Sequence, residues 1–332
     1  MTTTPLNRGI RRCRMKVIGL MKFGAPEVLQ VIDLPEPHPG RGEVRVRVHA
    51  ATVNPSDVAM RASGYQGRMA DLPLPHIPGW DAAGVIDAIG PGTDGRLAVG
   101  ERVLAITDAM SASKGAYQQQ LIVPAASVVR APRNLDFPAA SALLMNALTA
   151  RLGLDGMALR RGQTLAVTGS AGALGGFVIQ LAKADGLRVI ADVSEAPADR
   201  ELVKRLGADE LVTRGPGFTE RVRALAPNGV DGLFDTALLN GAAVPAIADS
   251  GVFVTVRGWN EPVERGVRVF PVFVRTAVTD TAKLERLRDL AEVGVLTPRV
   301  AKVLPASQAA EAHRILEKGG VRGRLVLDFT AL

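Results

Sequence analysis

Residues 164–176 read TLAVTGSAGALGG. A short run suited to a β-strand ends at Gly169. Glycine returns at Gly172 and Gly175, and a segment follows whose Leu174, Val178, Leu181 and Ala182 share one helical face. Strand, glycine turn and helix in direct succession, followed by a second strand-like run, RVIADV, are the opening of a parallel βαβ unit. The GxxGxxG spacing permits a tight turn, lets a ligand approach the backbone, and lets the helix pack closely on its strand. A helix start also offers unpaired N–H groups and a positive dipole end to a diphosphate. A turn using glycine for geometry alone has the same spelling. With both flanking strands in register, a dinucleotide site is the favoured reading, with Gly169, Ser170, Ala171, Gly172, Ala173, Leu174 and Gly175 as its candidate contacts.

The alternation of strand and helix continues after this unit. RVIADV, ELVTR, GLFDTA and VFVTVRG read as further strands, with APADRELVKRLGA as an intervening helix, which predicts a doubly wound parallel sheet. Before it the texture differs. From residue 15 to about 130, KVIGLMKFG, VLQVIDLP, GEVRVRVHAATVN, GVIDAIG, ERVLAIT and AYQQQLIVP are short runs bounded by Gly, Pro and Asp, as in an all-β, barrel-like unit. VRVRVH alternates apolar and basic residues with period two, giving one buried and one wet face. Past Pro271 two helices, TAKLERLRDLAEVG and SQAAEAHRILEKGG, precede a closing strand, GRLVLDF.

The composition narrows the function classes. The chain of 332 residues carries a net charge of +7, but apart from RGIRRCR its basic residues are interleaved with acidic ones, and aromatic residues make up only 4%. Neither a basic stripe nor base-stacking platforms are available, so a nucleic-acid partner is not expected. No apolar run has the length of a membrane span. The single cysteine, Cys13, has no internal partner, and the basic opening 1–14 lacks the apolar stretch of a signal peptide, which together point to a frayed extension and a cytoplasmic protein.

The choice of dinucleotide turns on RVIADVSEAPADR. An NAD site places an acid at the end of the second strand, to accept from the ribose 2′-OH. Val193 and Ser194 stand there instead, with Arg200 and Lys204 close enough in sequence to meet a 2′-phosphate. Asp192 and Glu195 argue the other way. NADPH is favoured over NADH.

These motifs together resemble the medium-chain dehydrogenase/reductase superfamily, in its zinc-free quinone oxidoreductase and enoyl reductase branch. The matching landmarks run in family order: KFGAPEVLQV, GEVRVRVHAATVNPSD, LPHIPGWDAAGVI, VGERV, GAYQQQLIVPA, MNALTA, TGSAGALGGFVIQLAKADG, LGADELV and GGVRGRLVL. The resemblance implies a GroES-like β-barrel catalytic domain from residues 15–135 and 275–332, with a Rossmann domain of residues 136–274 inserted in it, an active site in the cleft between them, and a homodimer. Zinc-dependent members of the superfamily place metal ligands where this chain has Asn54, Trp80 and Asp81, and the structural cysteine cluster has no counterpart. Neither a catalytic nor a structural zinc is expected.

Hydride transfer from NADPH to an acceptor that is already activated, a quinone or an enone or enoyl β-carbon, is the activity that follows. The resemblance makes Asn54 and Tyr65 the catalytic candidates: Asn54 beside the nicotinamide, and Tyr65 as a wall of the substrate cleft or a phenolic proton donor. Thr149, Val256, Phe273 and Arg322 join Ser194 and Arg200 as candidate cofactor contacts. Asp57 reads as the cap of the helix that follows it. The four histidines, 38, 49, 76 and 313, are dispersed without metal-ligand spacing. A non-redox, cyclase-like or binding role on the same fold is the alternative.

Overall fold

Val44, Val46 and Val48 are buried while Arg45 and Arg47 lie between them on the other face, the period-two pattern of a strand with one side against a core. The computed structural model, which describes residues 14–63, 69, 71–111 and 114–332, builds an antiparallel body around that strand. β1 (Arg14–Gly19) pairs with β2 (Gln30–Pro35). β3 (Glu43–Val53) leads into helix α1 (Pro55–Ala62), and β4 (Asp81–Ile89), β5 (Arg102–Ile106), β6 (Gln120–Pro124) and β7 (Val128–Arg130) follow.

The chain then crosses through helices α2 (Phe137–Ser141) and α3 (Leu144–Met157) into the βαβ units: β8 (Thr164–Thr168), α4 (Ala173–Ala184), β9 (Arg188–Val193), α5 (Pro197–Arg205), β10 (Glu210–Thr213), α6 (Phe218–Leu225), β11 (Val230–Asp235), β12 (Ile247–Thr255) and β13 (Arg268–Pro271). It returns to the first body with α7 (Thr281–Glu292), β14 (Val300–Pro305), α8 (Ala309–Lys318) and β15 (Arg324–Asp328). The seven-stranded sheet runs β14-β15-β3-β4-β5-β7, with β6 also on β3. The six-stranded sheet runs β10-β9-β8-β11-β12-β13, and all its pairings are parallel. That is the doubly wound order, whose switch point lies between β8 and β11.

Burial explains why the parallel strands read as nearly continuous apolar runs. In β8, Leu165 and Val167 join one core cluster while Ala166 faces another; in β11, Phe234 and Leu233 divide the same way. Both faces are covered, so neither needs polar residues. A third cluster fills the antiparallel body, with Val44, Val46, Val48 and Leu327 among its members.

Three strands lie outside the sequence reading, the first being the three-residue edge strand β7. β13 is a four-residue edge strand ending in Pro271. β14 is mostly exposed and shows no alternation. Short edge strands carry little periodic signal, because one side has no partner and little of the surface is buried.

Candidate functional site

β8 ends at Thr168, whose hydroxyl donates to Asp235 Oδ1 at 2.5 Å, while Thr236 Oγ1 donates to the Thr168 carbonyl at 2.6 Å. These bonds pin the two strand ends at the switch point. Gly169 then takes φ +66°, and an added Cβ there would fall 2.4 Å from Thr236 Oγ1. The Gly172 N–H closes the turn on the Gly169 carbonyl at 2.9 Å, and Gly172 is the N-cap of α4. A Cβ on Gly175 would sit 2.4 Å from the Gly169 carbonyl oxygen, so glycine here lets the helix rest on the turn.

The turn borders a cavity of about 920 Å³ between the two sheets. Gly169, Gly172, Ala173 and Leu174 form its wall. The remaining candidate residues of the turn stand behind that wall. Ser170 is fully buried, donating its backbone N–H to Asp192 Oδ1 at 2.9 Å and its hydroxyl to the Val167 carbonyl at 2.9 Å. Ala171 is buried, and Gly175 packs the helix. Asp192, the acid weighed against NADPH in the sequence, is thus buried and spent on the turn.

A second group of wall residues comes from the loop after β3. Asn54 precedes Pro55 at the start of α1 and donates its amide to Asp81 Oδ1 at 3.3 Å and Thr52 Oγ1 at 3.4 Å. Thr52 also donates to Asp81 and accepts from Arg324 Nη2 at 2.7 Å, and Asp81 Oδ2 accepts the Met145 N–H at 3.2 Å. Asp81 thereby ties the Asn54 loop to the start of α3, which carries Asn146 and Thr149 into the same wall. Thr149 bonds back to the Met145 carbonyl at 2.7 Å, whereas the Asn146 amide makes no protein hydrogen bond among the described residues.

Asp57 differs from its reading as a helix-starting cap. It lies at the third helical position and accepts the Asn54 N–H at 2.8 Å and the Gly79 N–H at 2.8 Å, stapling the two loops that bear Asn54 and Trp80. Complete burial pushes its carboxyl up to about 7, against the pull of those two backbone donors.

The third group surrounds Asp199. Arg322 grips it from Nε at 2.7 Å and Nη2 at 2.8 Å, Ser194 donates its hydroxyl, and Arg214 stands 4.0 Å away. The Arg322 hydrogen bonds lead in holding the Asp199 carboxyl at about 2. Arg214 and Arg322 line the cavity; Ser194 and Arg200 do not. Arg214 escaped the sequence reading, which looked for basic residues only after the second strand. Its signal was the position just past ELVT, because β10 pairs with β9 at Thr213 and Val193, and the Arg214 N–H bonds the Val193 carbonyl at 2.8 Å.

Val256 and Phe273 also lie in the wall, with Trp80, Met110 and Met145 adding apolar surface. Tyr65 falls outside the described residues. Tyr117 is fully buried, with its hydroxyl 3.5 Å from Asp57 Oδ2 and 3.4 Å from His313 Nε2, and it is not part of the wall. The family's zinc positions here hold an amide, an indole and a carboxylate already engaged by Thr52, Asn54 and a backbone N–H, with Arg324 3.9 Å away. That donor set does not fit zinc, and no group of three or more His, Cys, Asp or Glu side chains among the described residues could hold a metal ion.

A doubly wound sheet and an antiparallel body with a glycine-turned cleft between them define an oxidoreductase architecture, and sequence comparison agrees. Residues 40–133 match the alcohol dehydrogenase GroES-like domain and residues 206–327 match the zinc-binding dehydrogenase domain. The chain is 27% identical to the quinone oxidoreductase of Sus scrofa, over 94% of this chain and 97% of that one. It is 30% identical to the chloroplastic NADPH-dependent alkenal/one oxidoreductase of Arabidopsis thaliana, over 94% of this chain and 79% of that one. A mycobacterial protein solved in complex with NADPH superposes with a TM-score of 0.84 at 28% identity, covering 95% of this chain and 100% of that one. The chain belongs to the medium-chain dehydrogenase/reductase superfamily, in the branch of the quinone and alkenal oxidoreductases, and is an oxidoreductase.

Proposed function

We propose that the protein is a zinc-independent, NADPH-dependent reductase of quinones or activated alkenes, working as a cytoplasmic homodimer. The observation that carries the reading is a single cavity wall that combines the glycine turn with Arg214 and Arg322. The N–H groups of Ala173 and Leu174 at the start of α4 would hold the diphosphate, and the two arginines a 2′-phosphate. When bound, NADPH supplies the hydride. The NADPH dependence of the Arabidopsis relative and the NADPH in the mycobacterial neighbour support this choice.

The chain's own task is to orient the acceptor, exclude water and stabilise the charge that develops on the acceptor oxygen. Trp80, Met110, Met145 and Phe273 supply an apolar wall for a flat, conjugated acceptor. The Asn146 amide, free of protein partners in that wall, is the donor best placed for the oxygen. Asn54 has its amide committed to Asp81 and Thr52, so it acts on the cavity wall as part of that braced loop rather than as a free donor. The Asp81 and Arg324 charges neutralise one another at the position where relatives use metal, so an acceptor activated by its own conjugation is the fitting substrate. A non-redox role is not favoured, since the matched relatives are oxidoreductases.

The test is oxidation of NADPH, followed by its absorbance, against a panel of quinones, enones and enoyl thioesters, with dissociation constants for NADPH and NADH measured alongside. Turnover with at least one acceptor and tighter NADPH binding are expected. Tight cofactor binding with no acceptor reduced would return the non-redox alternative. Light scattering on the purified protein tests the dimer.

A further inference from the structure

Arg299 lies just before β14, in the antiparallel body, yet its side chain ends in the other half of the molecule. Its Nη2 donates to the Gly172 carbonyl at 2.7 Å and its Nη1 to the Ala171 carbonyl at 3.1 Å. Its own carbonyl accepts the Arg324 N–H at 2.7 Å, and an added Cβ on Gly323 would meet that carbonyl oxygen at 2.7 Å. One residue therefore touches both the glycine turn and the 322–324 segment that supplies three wall residues to the cavity.

Arg299 is half-buried, and no carboxylate lies within ion-pairing distance of its guanidinium among the described residues, Asp199 acting on it from farther away. Burial, followed by the neighbouring Arg322, pulls its pKa below the ordinary arginine value, against the opposing pull of Asp199. A partly buried charge whose hydrogen-bond partners are neutral carbonyls is stabilised when a further anion comes near it. The geometry indicates where that anion belongs. The Gly172 carbonyl is the oxygen end of the peptide group whose nitrogen end is the Ala173 N–H, the first unpaired donor of α4. A cation on the oxygen end polarises the peptide so that its N–H becomes a stronger donor on the cavity side.

We propose that Arg299 is a positioning residue for the dinucleotide diphosphate: a half-buried cation behind the glycine turn that strengthens the turn's outward N–H groups and locks the turn to the C-terminal segment of the cavity wall. This rests on the NADPH reading above. It predicts that cofactor occupancy and the seam between the two halves are coupled through this side chain.

The variants are Arg299→Gln, which keeps a donor for a carbonyl but removes the charge, and Arg299→Lys, which keeps the charge. Thermal unfolding verifies that both fold, and NADPH binding is measured by fluorescence titration at low and high salt. Arg299→Gln is expected to weaken NADPH about 10-fold with a shallower salt dependence, raising KM for NADPH while leaving kcat at saturating cofactor near the parent's, and Arg299→Lys to stay within about 3-fold. NADPH affinity of Arg299→Gln within about 2-fold of the parent would overturn the proposal, as would equal weakening in both variants or a loss confined to kcat. If the parent itself binds neither NADPH nor NADH, the functional reading fails and this inference with it. If the parent binds and Arg299→Gln binds equally well, only this inference fails.

Discussion

The Asp192 carboxylate accepts the backbone N–H of Ser170 at 2.9 Å, with both residues buried. The acid nearest the end of the second parallel strand therefore acts as a brace beneath the glycine turn. Asp192→Ala should leave that N–H unsatisfied and cost about 1–3 kcal/mol of stability. Because Asp192 is not among the residues lining the cavity, affinity for NADPH and NADH should fall by the same factor. Paired titrations check this; a changed ratio between the two would mean that Asp192 reads the 2′ position directly.

Gly172 and Gly175 of the turn separate by what a side chain would meet. At Gly175 an added Cβ lies 2.4 Å from the Gly169 carbonyl oxygen and 2.8 Å from Ser170 Cα, both backbone atoms that cannot swing away. Gly175→Ala should therefore cost about 1–3 kcal/mol of overpacking, beyond the roughly 1 kcal/mol gained in helix propensity. At Gly172 the only close neighbour is the Gly169 carbonyl oxygen at 3.0 Å, and the residue faces the cavity. Gly172→Val should keep most of the fold and lose the dinucleotide. Denaturant unfolding and cofactor titration on the two variants should give opposite profiles.

Local patterns in the sequence were legible where the physics is local. The valine and arginine alternation of 44–48 and the strand-turn-helix of 164–184 each carry their own geometry, so the two sheets could be expected from local patterns, whereas the cleft between them followed only from the family resemblance. Long-range partnerships were not. Arg214 reaches the cavity through strand pairing, and Arg299 meets Gly172 across 127 residues of chain. Asn146 was passed over because MNALTA was read only for its threonine, and an amide lacking a partner is visible only in three dimensions. Asp57 was correctly seen as a capping acid but assigned to the wrong turn position, since Asn54 caps the helix three residues earlier and Pro55 begins it.

Arg322 and Arg214 should divide NADPH from NADH. Either residue changed to alanine should weaken NADPH about 10-fold and leave NADH nearly unchanged, since a charge-assisted bond to phosphate is worth about 1.5–3 kcal/mol. Arg322→Ala should also lower stability, because it strips the close ionic partner from an almost buried Asp199. Arg214→Ala, at 4.0 Å and on a half-exposed side chain, should not. Equal losses of NADPH and NADH in both variants would place the 2′-phosphate elsewhere.

Asn146→Ala should lower kcat by about 10²-fold, as removal of one donor to a developing oxyanion does, with NADPH affinity unchanged. Saturation kinetics with a quinone and an enone check it, together with a direct cofactor titration. A rise in KM at constant kcat would make Asn146 a binding residue only.

Asp57 and His313 sit on either side of the Tyr117 hydroxyl and titrate in opposite senses. Burial raises Asp57 to about 7, with Asp81 raising it further and the backbone donors and Arg324 opposing. Burial lowers His313 to about 3, with Arg61 adding to the effect. Between about pH 4 and pH 6.5 the folded chain keeps a proton on Asp57 that the unfolded chain releases, so this group's stabilisation declines as pH rises. Over the same window the unfolded chain protonates His313 while the folded one does not, so that contribution grows as pH rises. The two slopes, each up to about 1.4 kcal/mol per pH unit, cancel in the parent. Asp57→Asn should therefore gain stability relative to the parent as pH rises through the window, and His313→Gln should lose it. Above about pH 6.5 only the Asp57 slope remains, and the parent should weaken as pH passes through 7. Urea unfolding at several pH values decides the matter: profiles that run parallel to the parent's would show that this buried pair does not titrate with folding.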